Sequence, residues 1–300
     1  MVCYHPLKGY RSRDGRNPVT GGWKIVFNLR EGYVDLPVEI PCGQCIGCRL
    51  EKSRQWAIRC VHEASLYEKN CFITLTFNDE NLDLNLSLDK TDFQRFMKRL
   101  RKRYCDQRIR YYHCGEYGEI LKRPHHHAIL FNFDFEDKVL WQKRDNVALY
   151  RSKSLEELWP YGYASIGAAT FESAAYVARY ILKKVSGKNA SVEAHYRGRV
   201  PEFTTMSRRP GIGRTWYIKY ASDVYPSDYV VTRKGLKVRP PRYYDALYDL
   251  ENPEEFKKIK QRRVRQAKTR AFREKITPHR LAMKEKCKEL AIKSLKRNLD

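Results

Sequence analysis

Apolar and polar residues alternate along this chain with two different periods, and the changes of period mark its elements. Cys71-Phe72-Ile73-Thr74-Leu75-Thr76-Phe77 is a β-branched and aromatic run stopped by Asn78-Asp79-Glu80-Asn81, which predicts a buried strand. Further strands are predicted at Ile109 to His113, His125 to Phe133 and Tyr163 to Ile166. Elsewhere the spacing is helical. Phe93, Phe96, Met97, Leu100 and Tyr104 recur every three or four residues behind the caps offered by Ser87 and Asp89, and a short helix is predicted near Ser154 to Trp159. Arg49 to Lys69 also reads as a helix. Thr170 can cap another over Phe171 to Val185, which Gly187 ends. Strands interleaved with helices in this way predict an α+β fold. Residues 1–50, punctuated by Gly and Pro, read as irregular with a few short strands such as Trp23 to Leu29.

Composition adds a partner to this outline. Three hundred residues, 42% of them hydrophobic, suffice for one large domain or a smaller one with appendages. Lys and Arg number 59 against 35 Asp and Glu, and the net charge of +24 is the electrostatic footprint of a polyphosphate partner. A membrane surface would also attract such charge, but no apolar stretch approaches the roughly 18 residues that span a bilayer. Met1 to Lys8 lacks the apolar core of a signal peptide, so export is not expected. Nine cysteines, an odd number, favour reduced thiols in a cytoplasm over a disulfide framework. Some of the 21 tyrosines are available to stack exposed bases, while most belong to packing. The glycine-rich loop Arg208 to Arg214 suits either phosphate contacts or a plain surface turn. From Asn252 onward basic residues outnumber acidic ones by more than two to one in a mainly helical tail, interrupted at Thr277-Pro278. Its thin stripe of Phe256, Ile259, Val264, Ala267 and Ala271 predicts weak docking, or ordering only on DNA.

Three constellations carry chemistry. On a strand, side chains at i and i+2 share a face, so His125 and His127 form half of a metal site. Glu116, at the end of the preceding strand candidate, offers a third ligand, and such a set leaves positions on the cation for substrate oxygens and water. On the helix Phe171 to Val185, Ala174, Val177, Ala178, Ile181 and Val185 share one side, while Tyr176, Tyr180 and Lys183 share the other. That pattern alone suits packing as well as catalysis. Finally, Cys42-x-x-Cys45-x-x-Cys48 places three thiols within seven residues, and Cys3 or His5 could complete a structural Zn2+ site. Unligated thiols, a redox motif and an iron–sulfur cluster are the other readings of that cluster.

The order of these elements resembles the HUH endonucleases, in particular the two-tyrosine replication initiators of microvirus (gokushovirus-like) single-stranded-DNA phages. The resemblance rests on the strand Phe72 to Phe77, on Glu116 before His-x-His, and on Ala175-Tyr176-Val177-Ala178-Arg179-Tyr180. It extends to Pro41-Cys42-Gly43-Gln44-Cys45-Ile46-Gly47-Cys48-Arg49. It implies a central antiparallel sheet with packed helices, an RRM-like palm, with the metal pair on a middle strand and the tyrosine helix nearby. It divides the chain into an N-terminal segment 1–50 bearing the cysteines, an endonuclease domain 51–225, and a basic, mainly helical region 226–300. Glu116, His125 and His127 would hold Mg2+ or Mn2+, Tyr176 and Tyr180 would be nucleophiles, and Lys183 or Lys184 would steady developing charge. The usual hydrophobic residue between the paired histidines is His126 here, which must then turn to the opposite face. The implied activity nicks single-stranded origin DNA, leaves a 5′-phosphotyrosine and a 3′-hydroxyl primer for rolling-circle replication, and rejoins the strand. Its expected partners are a host helicase and polymerase in the host cytoplasm. A transposase or relaxase of the same superfamily and a non-enzymatic basic nucleic-acid binder are the alternatives.

Overall fold

Why His125 and His127 share a face with Glu116 is decided by strand register. In the computed structural model, β5 (Arg110–Tyr117) and β6 (Pro124–Phe131) form an antiparallel hairpin in which Glu116 pairs with His125 and Cys114 with His127. On the other side of β6 runs β4 (Asn70–Thr76), which sets Thr74 against His127 and Thr76 against His125. These strands lie within a seven-stranded antiparallel sheet of order β10-β5-β6-β4-β9-β8-β7, where β7 is Val139–Arg144, β8 Val147–Arg151, β9 Ala164–Ala168 and β10 Phe203–Met206. The structure describes residues 3–16, 23–118, 121–144, 147–183, 194–232, 235–274 and 276–293; the side chains of residues 144, 179–183, 271–272 and 293 are also outside the description.

Each face of the sheet carries helices because each strand is apolar on both sides. One face packs α2 (Lys90–Arg103) and α3 (Lys153–Leu158). There Phe93, Phe96, Met97 and Leu100, the stripe predicted from spacing, meet Ile73, Leu75, Ala128 and Leu130. Asp89 caps α2 by accepting a hydrogen bond from the Thr91 amide. The other face packs α1 (Ile46–Ala64) and α4 (Phe171–Lys183), with Ala57, Cys60, Ala174, Val177 and Ala178 closing over Phe72, Tyr112, Ile129 and Phe131. The Thr170 hydroxyl accepts from the Ser173 amide and the Ser173 hydroxyl from the Thr170 amide, so the start of α4 is capped reciprocally.

The chain divides into two units, residues 52–265 around this sheet, and residues 1–51 with 266–295. In the first unit the stripe of the helix Pro253–Ala267 does dock: Phe256 and Ile259 are buried with Tyr217, Tyr225 and Tyr244. In the second, residues 1–50 are more regular than their composition predicts. β1 (Leu7–Arg16) pairs with β2 (Trp23–Val26) and β3 (Gly32–Ile40) in a three-stranded sheet. Backbone pairing builds it, and its sequence is too polar to advertise a strand. The predicted helix Arg49 to Lys69 is also shifted. It begins at Ile46 inside the cysteine motif and stops at Ala64, where the Asn70 amide donates to the Ala64 and Tyr67 carbonyls.

Candidate metal centre and tyrosine helix

Glu116, His125 and His127 come together as the register requires. His125 Nε2 lies 2.7 Å and His127 Nε2 3.0 Å from the same carboxylate oxygen, Glu116 Oε1. Their ligand atoms all fall within 4.8 Å of one another. Glu116 and His127 are fully buried, and His125 is partly exposed at the rim. Burial alone would raise the Glu116 carboxyl, but hydrogen bonds from the two imidazoles and their charge outweigh it and hold it at about 2. The group is therefore an anion at neutral pH.

The far nitrogen of each imidazole is already engaged. His125 Nδ1 donates to the Arg123 carbonyl at 3.2 Å, and His127 Nδ1 meets the Thr74 hydroxyl at 2.9 Å. Arg123 is itself fixed to the end of β4, its guanidinium reaching Asp79 at 2.5 Å and the Phe77 carbonyl at 2.9 Å. These outer partners select the tautomer whose Nε2 lone pair is free to face a cation, the arrangement typical of metal-binding histidines. Two imidazole nitrogens and one ionised carboxylate on one spot suit a divalent ion and leave coordination positions for other oxygens.

The middle histidine behaves as its register demands. His126 points to the α2 face, where its Nδ1 lies 3.1 Å from His113 Nε2, and His113 Nδ1 meets the Thr205 hydroxyl at 2.8 Å. Phe93 stacks on His113 at 3.7 Å between centroids, and His126 Nε2 is buried with no hydrogen-bond partner among the described residues. Burial, helped by the charge of His125 and His127, drives His126 down to about 3, and His113 is likewise lowered by burial.

Tyr176 sits beside the triad. Its ring lies 5.3 Å from that of His127, edge to face, and 6.3 Å from that of Phe72. The two faces expected on α4 are both covered. Tyr176, 5% exposed, joins the same buried cluster as Ala174, Val177 and Ala178, because the helix is flanked by the sheet and by α1, whose Ser53 hydroxyl donates to the Ala175 carbonyl. Tyr180 and Lys183 belong to α4 by their backbone, while their side chains, and Lys184 altogether, lie outside the described residues. A cavity of about 400 Å3 bordered by His62, Asn70, Ile129, Thr170 and Phe171 opens at the start of α4, and no member of the triad lines it.

The cysteine motif also closes on itself. The sulfurs of Cys3, Cys42, Cys45 and Cys48 lie within 4.8 Å of one another, whereas His5 pairs with Glu285 at 2.6 Å. Of the two candidates for a fourth partner it is therefore Cys3 that joins the three. The loop Arg208 to Arg214 is a turn that leads into the helix Arg214–Val224 and is fastened from below: the buried Glu63 carboxylate holds Arg110 at 2.5 Å and accepts from the Gly213 amide at 2.7 Å. Residues that sequence reading passed over are Thr74 and His113. Both stand in strands already recognised, but their partners come from a neighbouring strand.

The geometry defines an antiparallel-sheet protein with a two-histidine, one-carboxylate centre beside a tyrosine helix. A family model for replication-associated proteins of the ORF2 type matches residues 70–185, which span the triad and most of α4. The replication-associated protein VP4 of Bdellovibrio phage phiMH2K is 34% identical over 265 residues, covering 85% of this chain and 80% of that protein. The replication-associated protein ORF2 of Spiroplasma virus 4 is 31% identical over 300 residues, covering 93% of this chain and 91% of its own. The replication-associated protein ORF4 of Chlamydia phage 1 is 31% identical over 218 residues, with 69% and 53% covered. No solved structure gives a significant match. The chain belongs to the replication-associated proteins of phages, and its role is that of a phage replication initiator. Among the described residues no helix is long and apolar enough to cross a membrane.

Proposed function

We propose that this initiator is an HUH-type endonuclease that nicks single-stranded origin DNA and later rejoins it, with its chemistry in residues 51–225. The observation that carries the reading is the convergence of His125 and His127 on one oxygen of the ionised Glu116, with the Tyr176 ring against His127. A divalent cation, Mg2+ or Mn2+, held by these three residues supplies Lewis acidity at the non-bridging oxygens of a phosphodiester. The rest falls to the chain. Tyr176, or Tyr180 one turn further along α4, attacks phosphorus through its phenolic oxygen. The P–O3′ bond breaks, a tyrosine–5′-phosphate bond forms, and the proton lost by the phenol balances the one gained by the 3′-hydroxyl.

A phenol with an ordinary pKa near 10 is a weak nucleophile at neutral pH, so it needs a stabilised anion. Lys183 and Lys184, at the end of α4, are the residues assigned to that charge. Because the phosphotyrosine preserves the energy of the broken bond, the free 3′-hydroxyl can prime synthesis and the strand can later be resealed without ATP. A second tyrosine then cuts the regenerated junction while the first releases its strand. The charge of +24 provides the attraction for the polyanion. Single-stranded DNA is the expected substrate, since the phosphate has to reach a site recessed in the sheet. Host helicase and polymerase would act from the 3′-hydroxyl in the host cytoplasm.

The test is incubation with single-stranded DNA and Mn2+, followed by denaturing electrophoresis. A protein–DNA adduct that survives boiling in detergent is expected. Substituting both tyrosines (Tyr176→Phe with Tyr180→Phe) should abolish it, and an adduct unaffected by the double change would refute the tyrosine assignment.

A further inference from the structure

Outside the sheet, the four gathered cysteines form the most organised set of chemical groups in the molecule. Nothing in the nicking chemistry uses them. A tetrahedral ion with metal–sulfur bonds of about 2.3 Å requires its sulfurs to stand about 3.8 Å apart. Cys45 Sγ and Cys3 Sγ are 3.9 Å apart, and all four sulfurs lie within 4.8 Å of one another. A disulfide would need about 2.05 Å, and all four are free thiols. The spacing is that of thiolates around a single ion.

The backbone is arranged for the same purpose. Three amides donate to these sulfurs: Tyr4 N to Cys45 at 3.4 Å, Cys42 N to Cys3 at 3.2 Å, and Cys45 N to Cys42 at 3.2 Å. Gly43, between the first two cysteines of the motif, has φ +75°, a left-handed conformation that lets the chain double back and bring Cys42 and Cys45 together. Such donors stabilise charged sulfur and do little for neutral thiols.

The surrounding unit also has little else to hold it. Along β3 most side chains are exposed, and so are Leu7, Phe27, Leu29, Tyr33, Val34 and Leu36. The apolar side chains buried in this unit, among the described residues, are Val26, Cys45, Cys48 and Leu281. A core so small is usually supplemented by a disulfide or a metal. We infer that Cys3, Cys42, Cys45 and Cys48 bind one Zn2+ ion as a tetrathiolate, which fastens the first residues of the chain to the turn leading into α1. Binding releases the thiol protons to solvent, and the binding free energy becomes folding free energy for this unit. The soft sulfur set selects zinc, whereas the harder Glu116–His125–His127 set suits magnesium or manganese, so the two sites do not compete.

The experiment uses the full chain, purified under reducing conditions without added metal. Elemental analysis should find about one zinc per chain, retained when both imidazoles are removed (His125→Ala with His127→Ala) and when the exposed Cys105 and Cys287 are changed to Ser. Replacing the zinc with Co2+ in the unaltered chain should give the intense sulfur-to-metal charge-transfer and visible bands of a tetrahedral thiolate, a readout that needs no variant. Stripping the zinc with a membrane-permeant chelator should speed protease cleavage within residues 1–51 by about tenfold or more, while cleavage within 52–265 keeps its rate. Cys42→Ser should lose the zinc. Zinc-free protein whose four thiols all react freely with a thiol reagent would overturn the inference. So would iron with acid-labile sulfide, or zinc that survives Cys42→Ser but vanishes with the imidazoles.

Discussion

The two sides of β6 hold histidines of opposite character within three consecutive residues. His125 and His127 meet a carboxylate that is ionised, and their outer nitrogens are held by the Arg123 carbonyl and the Thr74 hydroxyl. His126, between them, enters a compartment walled by Phe93, Phe77 and Trp159 and is held neutral there, paired with His113. The same side chain is thus a ligand on one face and a packing group on the other. What separates them is the partner that the neighbouring strand supplies, Glu116 on one side and His113 on the other. Strand alternation by itself assigns a face; it does not assign a chemistry.

This contrast can be broken in several places. The largest effect is expected at the carboxylate: Glu116→Gln keeps the shape and removes the charge, and the yield of covalent adduct in Mn2+ should fall by about 100-fold or more. An adduct at undiminished yield would mean that the front face is not a metal site. Removing an outer partner should cost less. Thr74→Val leaves all three ligands in place but frees the ring of His127, and titration calorimetry should show Mn2+ affinity weakened by about 10- to 100-fold. On the back face the sign of the result changes. His126→Ala should lower the free energy of unfolding by about 2–4 kcal/mol, by leaving a cavity and an unpaired His113, with Mn2+ affinity unchanged.

The faces also differ in how they respond to acid, the smallest of these effects. Glu116 is held at about 2 against an ordinary 4.5, so it contributes stability that is present above about pH 4.5 and lost as the pH falls toward 2. His126 is held at about 3 against 6.5 by burial first and by the charge of its neighbours second. Between those values the unfolded chain takes up a proton that the folded one does not, and stability falls as the pH drops from about 6.5 toward 3. Urea unfolding across this range, without divalent metal, should show the slope between pH 6.5 and 4.5 reduced by His126→Phe and untouched by Glu116→Gln. A slope insensitive to His126 would place the titrating groups elsewhere.

Much of this was legible in the sequence because it depends on local period. The strand Phe72 to Phe77, the buried stripe of α2, the shared side of His125 and His127, and the reversal of His126 all follow from alternation or helical spacing. Glu116 was within reach because a hairpin brings neighbouring strands together over a short loop. What escaped depends on pairing between distant segments. Thr74 reaches His127 across a separation of 53 residues, and Thr205 reaches His113 across 92. The sheet of residues 7–40 escaped because a strand such as Leu7–Arg16, rich in Arg and Gly, has no apolar alternation to read. Tyr176 was placed on a separate face of its helix; its burial could not be foreseen, since it takes both the sheet and α1 to cover α4 on two sides.

The central claim is that β6 presents a cation site on one face only, next to the tyrosine helix. Crystals soaked in Mn2+ test it most directly, through the anomalous signal of the ion. The account predicts one strong peak at ligating distance from Glu116 Oε1, His125 Nε2 and His127 Nε2, and none between His113 and His126. A peak on the back pair, or an empty front face at saturating Mn2+, would contradict it.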